Sequence, residues 1–251
     1  MLKNLNLLLV GLPGVGKTAI VEEKYQGKIV KLLVSSMMEE DIAGIPFIEN
    51  GEEKRAMPKF LREINKINKL YPNEEICLFL DELDKARQEV ADTLLTLIWS
   101  RKYGEYELPD NCKIIAACNP SSYGGGNGIS EPMLSRFSVI NFVPDVKKWV
   151  EWCRKNYPEF ENIAKAVESK ELPLFDSIGE DLDLRITSPR TLEMAMCCFD
   201  CEIATRNEKI KGLLTPQACS FFEKEETYGK KVRNVLRKKS NCINHIEPIR
   251  L

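Results

Sequence analysis

The sequence predicts an α/β protein: a parallel five-stranded sheet flanked by helices, followed by a small all-helical domain. Apolar, β-branched segments alternate with helix-like segments up to residue 143. These segments are nearly continuous in apolar character, as strands covered on both faces by helices are. Beyond residue 143 no convincing buried strand follows, and the apolar residues recur at helical spacing.

The elements of the sheet domain follow one another in a strand–helix order. Thr18 opens a helix-like stretch after the first strand, and Val90, Leu94, Leu97 and Ile98 mark a later helix by their spacing. The predicted strands are residues 5–10, 29–34, 76–80, 113–118 and 139–142. The predicted helices between them are residues 18–25, 59–70 and 85–100.

A domain boundary is predicted at the turn Val143-Pro144-Asp145, where the alternation of strand-like and helix-like segments ends. The sequence therefore predicts an α/β domain over residues 1–143 and a helical lid domain over residues 144–251. Helices are predicted at residues 147–154, 163–169, 189–206 and 216–224, and the last dozen or so residues are predicted to be weakly structured.

The composition excludes some classes of protein. With 43% hydrophobic residues among 251, the chain can bury a substantial core. Lys and Arg total 36 against 38 Asp and Glu, so net charge gives no support for bulk binding to nucleic acid or acidic lipid. No apolar run approaches the roughly 18 residues needed to cross a bilayer. The nine scattered cysteines fit a reducing compartment, and we expect a cytoplasmic protein.

Residues 11–18 read GLPGVGKT and match the phosphate-binding pattern G-x-x-x-x-G-K-[ST] in full, between a predicted strand and a predicted helix. The glycines let successive amide N–H groups point at phosphates, and the helix start adds positive partial charge. Lys17 is predicted to contact the β and γ phosphates, and the Thr18 hydroxyl to bind Mg²⁺. The predicted nucleotide-binding residues are Gly11, Pro13, Gly14, Val15, Gly16, Lys17, Thr18 and Ala19.

A second motif, ICLFLDELDKA, covers residues 76–86. An apolar strand that ends in acids places carboxylates at the carboxyl edge of the sheet, where ligands of open α/β folds bind. Asp81 is predicted to hold the water shell of the metal, and Glu82 to orient or deprotonate the attacking water. The alternative is an acidic helix N-terminus favoured by the helix dipole.

Beyond these motifs the chain resembles the AAA+ ATPases. It shares DEL directly after a strand, and a strand that ends in Asn in IIAACNP, residues 114–120. Within AAA+ it is similar to the MoxR-like, dynein-related branch over about positions 5 to 200. The similar stretches are SSMMEEDIAG (35–44), LDELDKARQEVADTLLTLIWSRKYGEYELPDN (80–111), EPMLSRF (131–137), DVKKWVEWC (145–153) and SPRTLEMA (188–195).

The resemblance implies roles for three further residues. Asn119 matches sensor 1, which helps to place the water; an Asn-Pro turn is the alternative. Arg136 matches the arginine finger, which reaches the γ-phosphate of a neighbouring subunit; an exposed or ion-paired arginine is the alternative. Arg190 matches sensor 2, although Ser188-Pro189 is also an ordinary helix start.

The resemblance also implies a helix-2 insert within residues 37–57 and a hairpin within 101–113 that faces the ring pore or a partner. The alternative for each segment is a solvated loop. Ten residues precede Gly11, where relatives carry a helix that lines the adenine pocket, so preference for ATP over GTP is left open.

The function expected from these features is an ATP-hydrolysing, ring-forming chaperone, usually hexameric in this family, that remodels a partner protein. The analogy extends to a von Willebrand factor A-type partner. One alternative is a motor or loader that acts on DNA, since related AAA+ rings serve restriction and replication. Another is a non-hydrolysing switch, against which Lys17, Asp81 and Glu82 speak.

Three other patterns are interpreted as structural. Cys197, Cys198 and Cys201 are expected to be buried thiols on a helix rather than zinc ligands, because the only histidine is His245. The basic residues between 230 and 239 are expected to form a solvated helix face. Trp149 and Trp152 lie three apart and are expected in the core of the helical domain.

Overall fold

The structure is a computed structural model that describes residues 5–120, 128–177, 185–200 and 203–223. The chain divides into two compact units, Met1–Val143 and Pro144–Leu251. The strands are β1 (Leu7–Val10), β2 (Ile29–Leu33), β3 (Pro46–Glu49), β4 (Glu52–Arg55), β5 (Ile76–Asp81), β6 (Lys102–Tyr103), β7 (Tyr106–Glu107), β8 (Cys112–Cys118), β9 (Ser138–Asn141), β10 (Asp176–Ser177) and β11 (Ile186–Thr187). The helices are α1 (Lys17–Lys24), α2 (Glu39–Ala43), α3 (Lys59–Leu70), α4 (Gln88–Ser100), α5 (Glu131–Leu134), α6 (Val146–Asn156), α7 (Glu161–Glu168), α8 (Pro189–Cys197), α9 (Ile203–Leu213) and α10 (Pro216–Glu223).

A parallel five-stranded sheet forms the centre of the first unit, in the order β2-β5-β8-β1-β9. The predicted fold class is confirmed, and each predicted strand is present with its ends slightly shifted. The register pairs Val10 with Cys118, so the residues that follow β1 and β8 come side by side at the carboxyl edge of the sheet.

Apolar clusters cover the sheet on both faces. Leu78 and Leu80 of β5 belong to one cluster, and the alternate residues Cys77 and Phe79 belong to the other. This alternation explains why the strand is apolar throughout, because neither of its faces meets water. Asp81 ends β5 and Asn119 follows β8, so both of these polar side chains lie at the carboxyl ends of their strands.

Two hairpins lie on the path between the sheet strands. The predicted insert at 37–57 contains α2 and the antiparallel pair β3–β4. The predicted hairpin at 101–113 contains β6–β7, in which Tyr103 pairs with Tyr106. The Tyr106 hydroxyl donates a hydrogen bond to the Arg55 carbonyl at 2.8 Å, which joins the two hairpins.

Gly44, which ends α2, has φ 79° and ψ 153°, a backbone conformation that is almost exclusive to glycine. A Cβ at this position would lie 1.9 Å from the Ala56 carbonyl oxygen. We expect Gly44→Ala to lower the free energy of unfolding of the first unit by about 2–4 kcal/mol in urea titrations. Gly51→Ala is the matched control, since Gly51 has φ 83° but open space around it, and it should cost only about 1–2 kcal/mol. Equal losses in the two variants would contradict the steric explanation.

The second unit is mainly helical and includes one short antiparallel pair, β10–β11, that the sequence pattern did not indicate. Its core contains a chain of aromatic contacts, among them Phe160 and Phe199 with ring centroids 4.9 Å apart. Trp149 is buried, and its ring lies 6.3 Å from that of the partly buried Trp152. Among the described helices, none is long and apolar enough to span a bilayer.

The helix predicted over residues 189–206 is wrong, because α8 ends at Cys197 and a 3-10 turn, Cys198–Asp200, separates it from α9. The turn places Phe199 in the core with no exposed surface. Cys197 is exposed and Cys198 half-buried, contrary to the predicted burial of both thiols. Cys201, His245 and the basic residues between 230 and 239 lie outside the described residues.

Candidate nucleotide site

The loop of residues 11–16 connects β1 to α1 at the carboxyl edge of the sheet. Gly16 is the N-cap residue of α1 and has φ 95°, a conformation that residues with a Cβ rarely adopt. It offers no side chain to cap the helix, so the first amide groups of α1 remain suited to an anionic ligand. The helix starts at Lys17 and Thr18, the two residues predicted to contact phosphate and Mg²⁺.

Lys17 joins the loop to the end of β8. Its side chain is buried, and Nζ donates hydrogen bonds to the carbonyl oxygens of Gly11 at 2.6 Å and Leu12 at 3.0 Å. A third hydrogen bond, also 3.0 Å, goes to Oδ1 of Asn119. The structure thus brings the predicted phosphate-binding lysine and the predicted sensor amide into direct contact.

Thr18 and Asp81 meet across the edge of the sheet, where the Thr18 hydroxyl donates to Oδ2 of Asp81 at 2.9 Å. The Asp81 carboxylate also accepts from the Glu82 amide at 3.1 Å, and Lys31 Nζ lies 3.9 Å away. Mg²⁺ prefers oxygen ligands and is usually bound through one or two carboxylates together with substrate phosphates. The hydroxyl and the carboxylate fit that requirement. Among the described residues there is no group of three or more His, Cys, Asp or Glu that could hold a metal by itself.

Glu82 follows directly and has a left-handed backbone conformation, φ 57° and ψ 44°. Such a conformation in a residue with a Cβ costs roughly 1–3 kcal/mol, and active sites are one place where residues of this kind cluster. It places the carboxylate at the start of a short 3-10 turn, Leu83–Lys85, where Oε1 accepts a hydrogen bond from Lys85 Nζ at 3.1 Å. The side chain is half-exposed, so water reaches it.

Asp84 is a site residue that the sequence reasoning missed. Its side chain is 4% exposed, and Oδ1 accepts a hydrogen bond from the Asn119 amide at 3.3 Å. Oδ2 is buried and has no hydrogen-bond partner among the described atoms. The only available signal was the second aspartate of DELDKA, which has the same pattern as a solvated helix start. Asp84 ties the turn after β5 to the end of β8.

Cys118 lies between these groups but is not a nucleophile. The pKa of its thiol is raised to about 11, mainly by burial and also by the nearby Asp84 carboxylate, while the Lys17 ammonium lowers it. Because its pKa is raised, the Cys118 thiol is protonated near neutral pH, and a protonated thiol is a poor nucleophile. The chemistry at this edge therefore rests on Lys17, Thr18 and the carboxylates.

Arg136 has its own set of contacts, separate from the loop and from Asp81. Nη1 donates to the Pro132 carbonyl at 2.6 Å and to the Ser135 hydroxyl at 2.9 Å, and the guanidinium lies 5.0 Å from the centroid of the Trp99 ring. Arg190 belongs to the second unit and is exposed in the first turn of α8. Ser188 caps this helix, since its Oγ accepts from the Thr191 amide at 3.2 Å.

Residues 6–137, more than half of the chain, match the family model described as AAA domain, dynein-related subfamily. No curated protein matches the chain. One similar solved structure is the closed state of Hsp104 with ATPγS and FITC casein, at 17% identity and a TM-score of 0.46 over 63% of this chain and 32% of that chain. Another is NtrX from Brucella abortus, at 14% identity and a TM-score of 0.41 over 100% of this chain and 49% of that chain. The chain spans about a third of the first structure and about half of the second.

Proposed function

We propose that this chain, which belongs to the dynein-related subfamily of AAA domain proteins, binds ATP together with Mg²⁺ and hydrolyses it. The observation that carries the proposal is the cluster at the carboxyl edge of the sheet. There, Lys17 contacts Asn119 at 3.0 Å and Thr18 contacts Asp81 at 2.9 Å. A lysine that follows a glycine loop, beside a hydroxyl and a carboxylate, is the set of groups that phosphoryl transfer from ATP requires.

Each side chain has a distinct task in the reaction. Lys17 donates hydrogen bonds to the β and γ phosphates, and the backbone amides at the start of α1 hold the phosphates in place. Thr18 and Asp81 would hold Mg²⁺, which would neutralise negative charge on the phosphates. Glu82 accepts a proton from the attacking water, and the Asn119 amide orients that water. The Asp84 carboxylate keeps Asn119 in place by accepting a hydrogen bond from the main-chain amide of Asn119.

The shared-site part of the proposal concerns Arg136. In its own chain the guanidinium contacts Pro132, Ser135 and Trp99. We infer that it acts on the γ-phosphate bound by a neighbouring copy, and that Arg190 has the sensor 2 role that the sequence resemblance implies. A head-to-tail contact of this kind closes into a ring, for which a hexamer is proposed. Remodelling of a partner protein by a MoxR-like ring, with a von Willebrand factor A-type partner, rests on the sequence resemblance.

ATP binding tests the core of this proposal. Lys17→Ala removes the ammonium that we propose donates to the β and γ phosphates, and hydrogen bonds to charged groups are each worth about 1.5–3 kcal/mol. We expect the variant to bind ATP about 10- to 100-fold more weakly in calorimetric titrations with Mg²⁺. Lys24→Ala is the control, because Lys24 ends the same helix and is exposed. Equal ATP affinity in Lys17→Ala and in the unmodified chain would rule out this loop as the phosphate site.

A further inference from the structure

Trp99 is an exposed aromatic residue in the last turn of α4, with 72% of its surface open to solvent. Its ring lies against the guanidinium of Arg136, with 5.0 Å between the guanidinium carbon and the ring centroid. A cation within about 6 Å of the ring centroid of tryptophan is attracted by the negative face of the indole. The indole is therefore not part of the core, and its described contact is with the guanidinium of Arg136.

The backbone beneath this pair is held by one side chain. Nδ2 of Asn6 donates to the Arg136 carbonyl at 3.2 Å and to the Ile98 carbonyl at 3.5 Å. Ile98 is buried and immediately precedes Trp99, so the last turn of α4 and the backbone of Arg136 are fixed to the same amide. The two hydrogen bonds of Asn6 thus keep the backbone of Arg136 close to the turn of α4 that carries the indole.

Hydrogen bonds restrain the Arg136 guanidinium in addition to its contact with the Trp99 ring. Nη1 is held by the Pro132 carbonyl and the Ser135 hydroxyl, while Nε is buried and has no hydrogen-bond partner among the described residues. No hydrogen bond joins Nη2 to a described residue. One edge of the guanidinium is thus anchored and the group lies over the indole ring, so within the described part of the chain Nη2 remains able to donate to a further group.

We propose that Trp99 is a positioning residue for Arg136, and that its ring holds the guanidinium so that Nη2 points to a phosphate bound by a second copy of this chain. This inference rests on the proposed function, in which Arg136 completes the site of a neighbouring subunit. Preorganisation matters here because a long arginine side chain otherwise loses much rotamer freedom when it reaches the phosphate. The indole supplies that ordering before the subunits meet.

Mixing two inactive variants separates this role from a general effect on folding. Lys17→Ala subunits lack the phosphate-binding lysine but keep Arg136, and Arg136→Ala subunits bind ATP but provide no guanidinium. Phosphate release recovered in the mixture then measures how well the first variant supplies Arg136 to the second. Trp99→Ala is introduced into one variant at a time.

In the Lys17→Ala subunit, Trp99→Ala should lower the recovered rate roughly 3- to 30-fold. The lower figure corresponds to a cation–π contact that is exposed to solvent, and the upper figure to one that is desolvated. In the Arg136→Ala subunit it should leave the recovered rate unchanged. Trp99→Phe in the Lys17→Ala subunit should restore most of the rate, because an aromatic face remains. Leu70→Ala is the matched control, since Leu70 ends α3 and is 73% exposed.

Equal losses with Trp99→Ala in either subunit would show that Trp99 serves folding or assembly and would overturn the inference. A recovered rate insensitive to Trp99→Ala in the Lys17→Ala subunit would overturn it as well, while the shared site would stand. Failure of the mixture to recover any phosphate release with Trp99 intact would overturn the shared site itself, and the role of Trp99 with it.

Discussion

Arg136→Ala is expected to lower the rate of phosphate release from ATP by about 10³- to 10⁵-fold, the effect of an arginine supplied to a phosphoryl-transfer site. The guanidinium stabilises charge that develops on the transferred phosphoryl group, and its planar fork matches phosphate geometry. ATP affinity should change little, because Arg136 makes its contacts away from the loop that carries Lys17.

The measurement is steady-state phosphate release from ATP and from GTP over a range of protein concentrations. If Arg136 acts between subunits, the rate per subunit should rise with protein concentration in the unmodified chain and stay low in the variant. Arg136→Lys should not restore the rate, since an ammonium lacks the fork. Arg62→Ala is the control, because Arg62 is exposed on α3.

A rate per subunit that is independent of protein concentration and unaffected by Arg136→Ala would contradict the ring mechanism. The chain would then be a simpler nucleotide hydrolase whose site is complete within one copy. The comparison of ATP with GTP also settles the base preference, which the sequence pattern leaves open.

Glu82→Gln should lower phosphate release by about 10²- to 10⁴-fold, the usual contribution of a general base, while ATP binding persists. Glutamine keeps the length of the side chain and can accept a hydrogen bond from water, but it cannot take up the proton. The left-handed backbone at Glu82 is set by the turn into Leu83–Lys85, so the amide should occupy the same place as the carboxylate.

Phosphate release and calorimetric ATP binding, measured on the same preparations, check this result. Glu89→Gln is a matched control, because Glu89 is an exposed glutamate in the first turn of α4. If Glu82→Gln retained full turnover, another group would have to activate the water. Binding of ATP with no turnover even in the unmodified chain would favour a non-hydrolysing switch.

Local sequence patterns predict the strands of the sheet well, because each strand is a short apolar segment that can be recognised without the others. β5 is apolar on both faces and ends at Asp81, so the position of the acid at the sheet edge follows from the strand alone. Contacts across the sheet depend on strand order, which no local pattern contains. Asn119 meets Lys17 because β8 is the neighbour of β1. The sequence resemblance suggested a role for Asn119 but not this contact.

Two misses have the same physical origin, since burial of a residue is decided by distant parts of the chain. Asp84 has the pattern of a solvated helix start, yet the end of β8 covers it. The helix predicted over residues 189–206 has continuous helical spacing, yet the burial of Phe199 interrupts it. The same limit applies to Trp99, whose importance depends on the position of Arg136 and not on its own helix.

The strand order also governs when the chain can fold during synthesis. β1 precedes the phosphate loop, but its sheet partners come about a hundred residues later or more, since Leu7 pairs with Ile115 and with Ser138. Contacts between residues so distant in sequence slow folding and leave apolar strands exposed meanwhile. A nascent chain has β2 and β5 available to pair while β1 still lacks both of its neighbours. We therefore expect β1, which leads into the phosphate loop, to have both of its sheet neighbours only after β8 and β9 have left the ribosome.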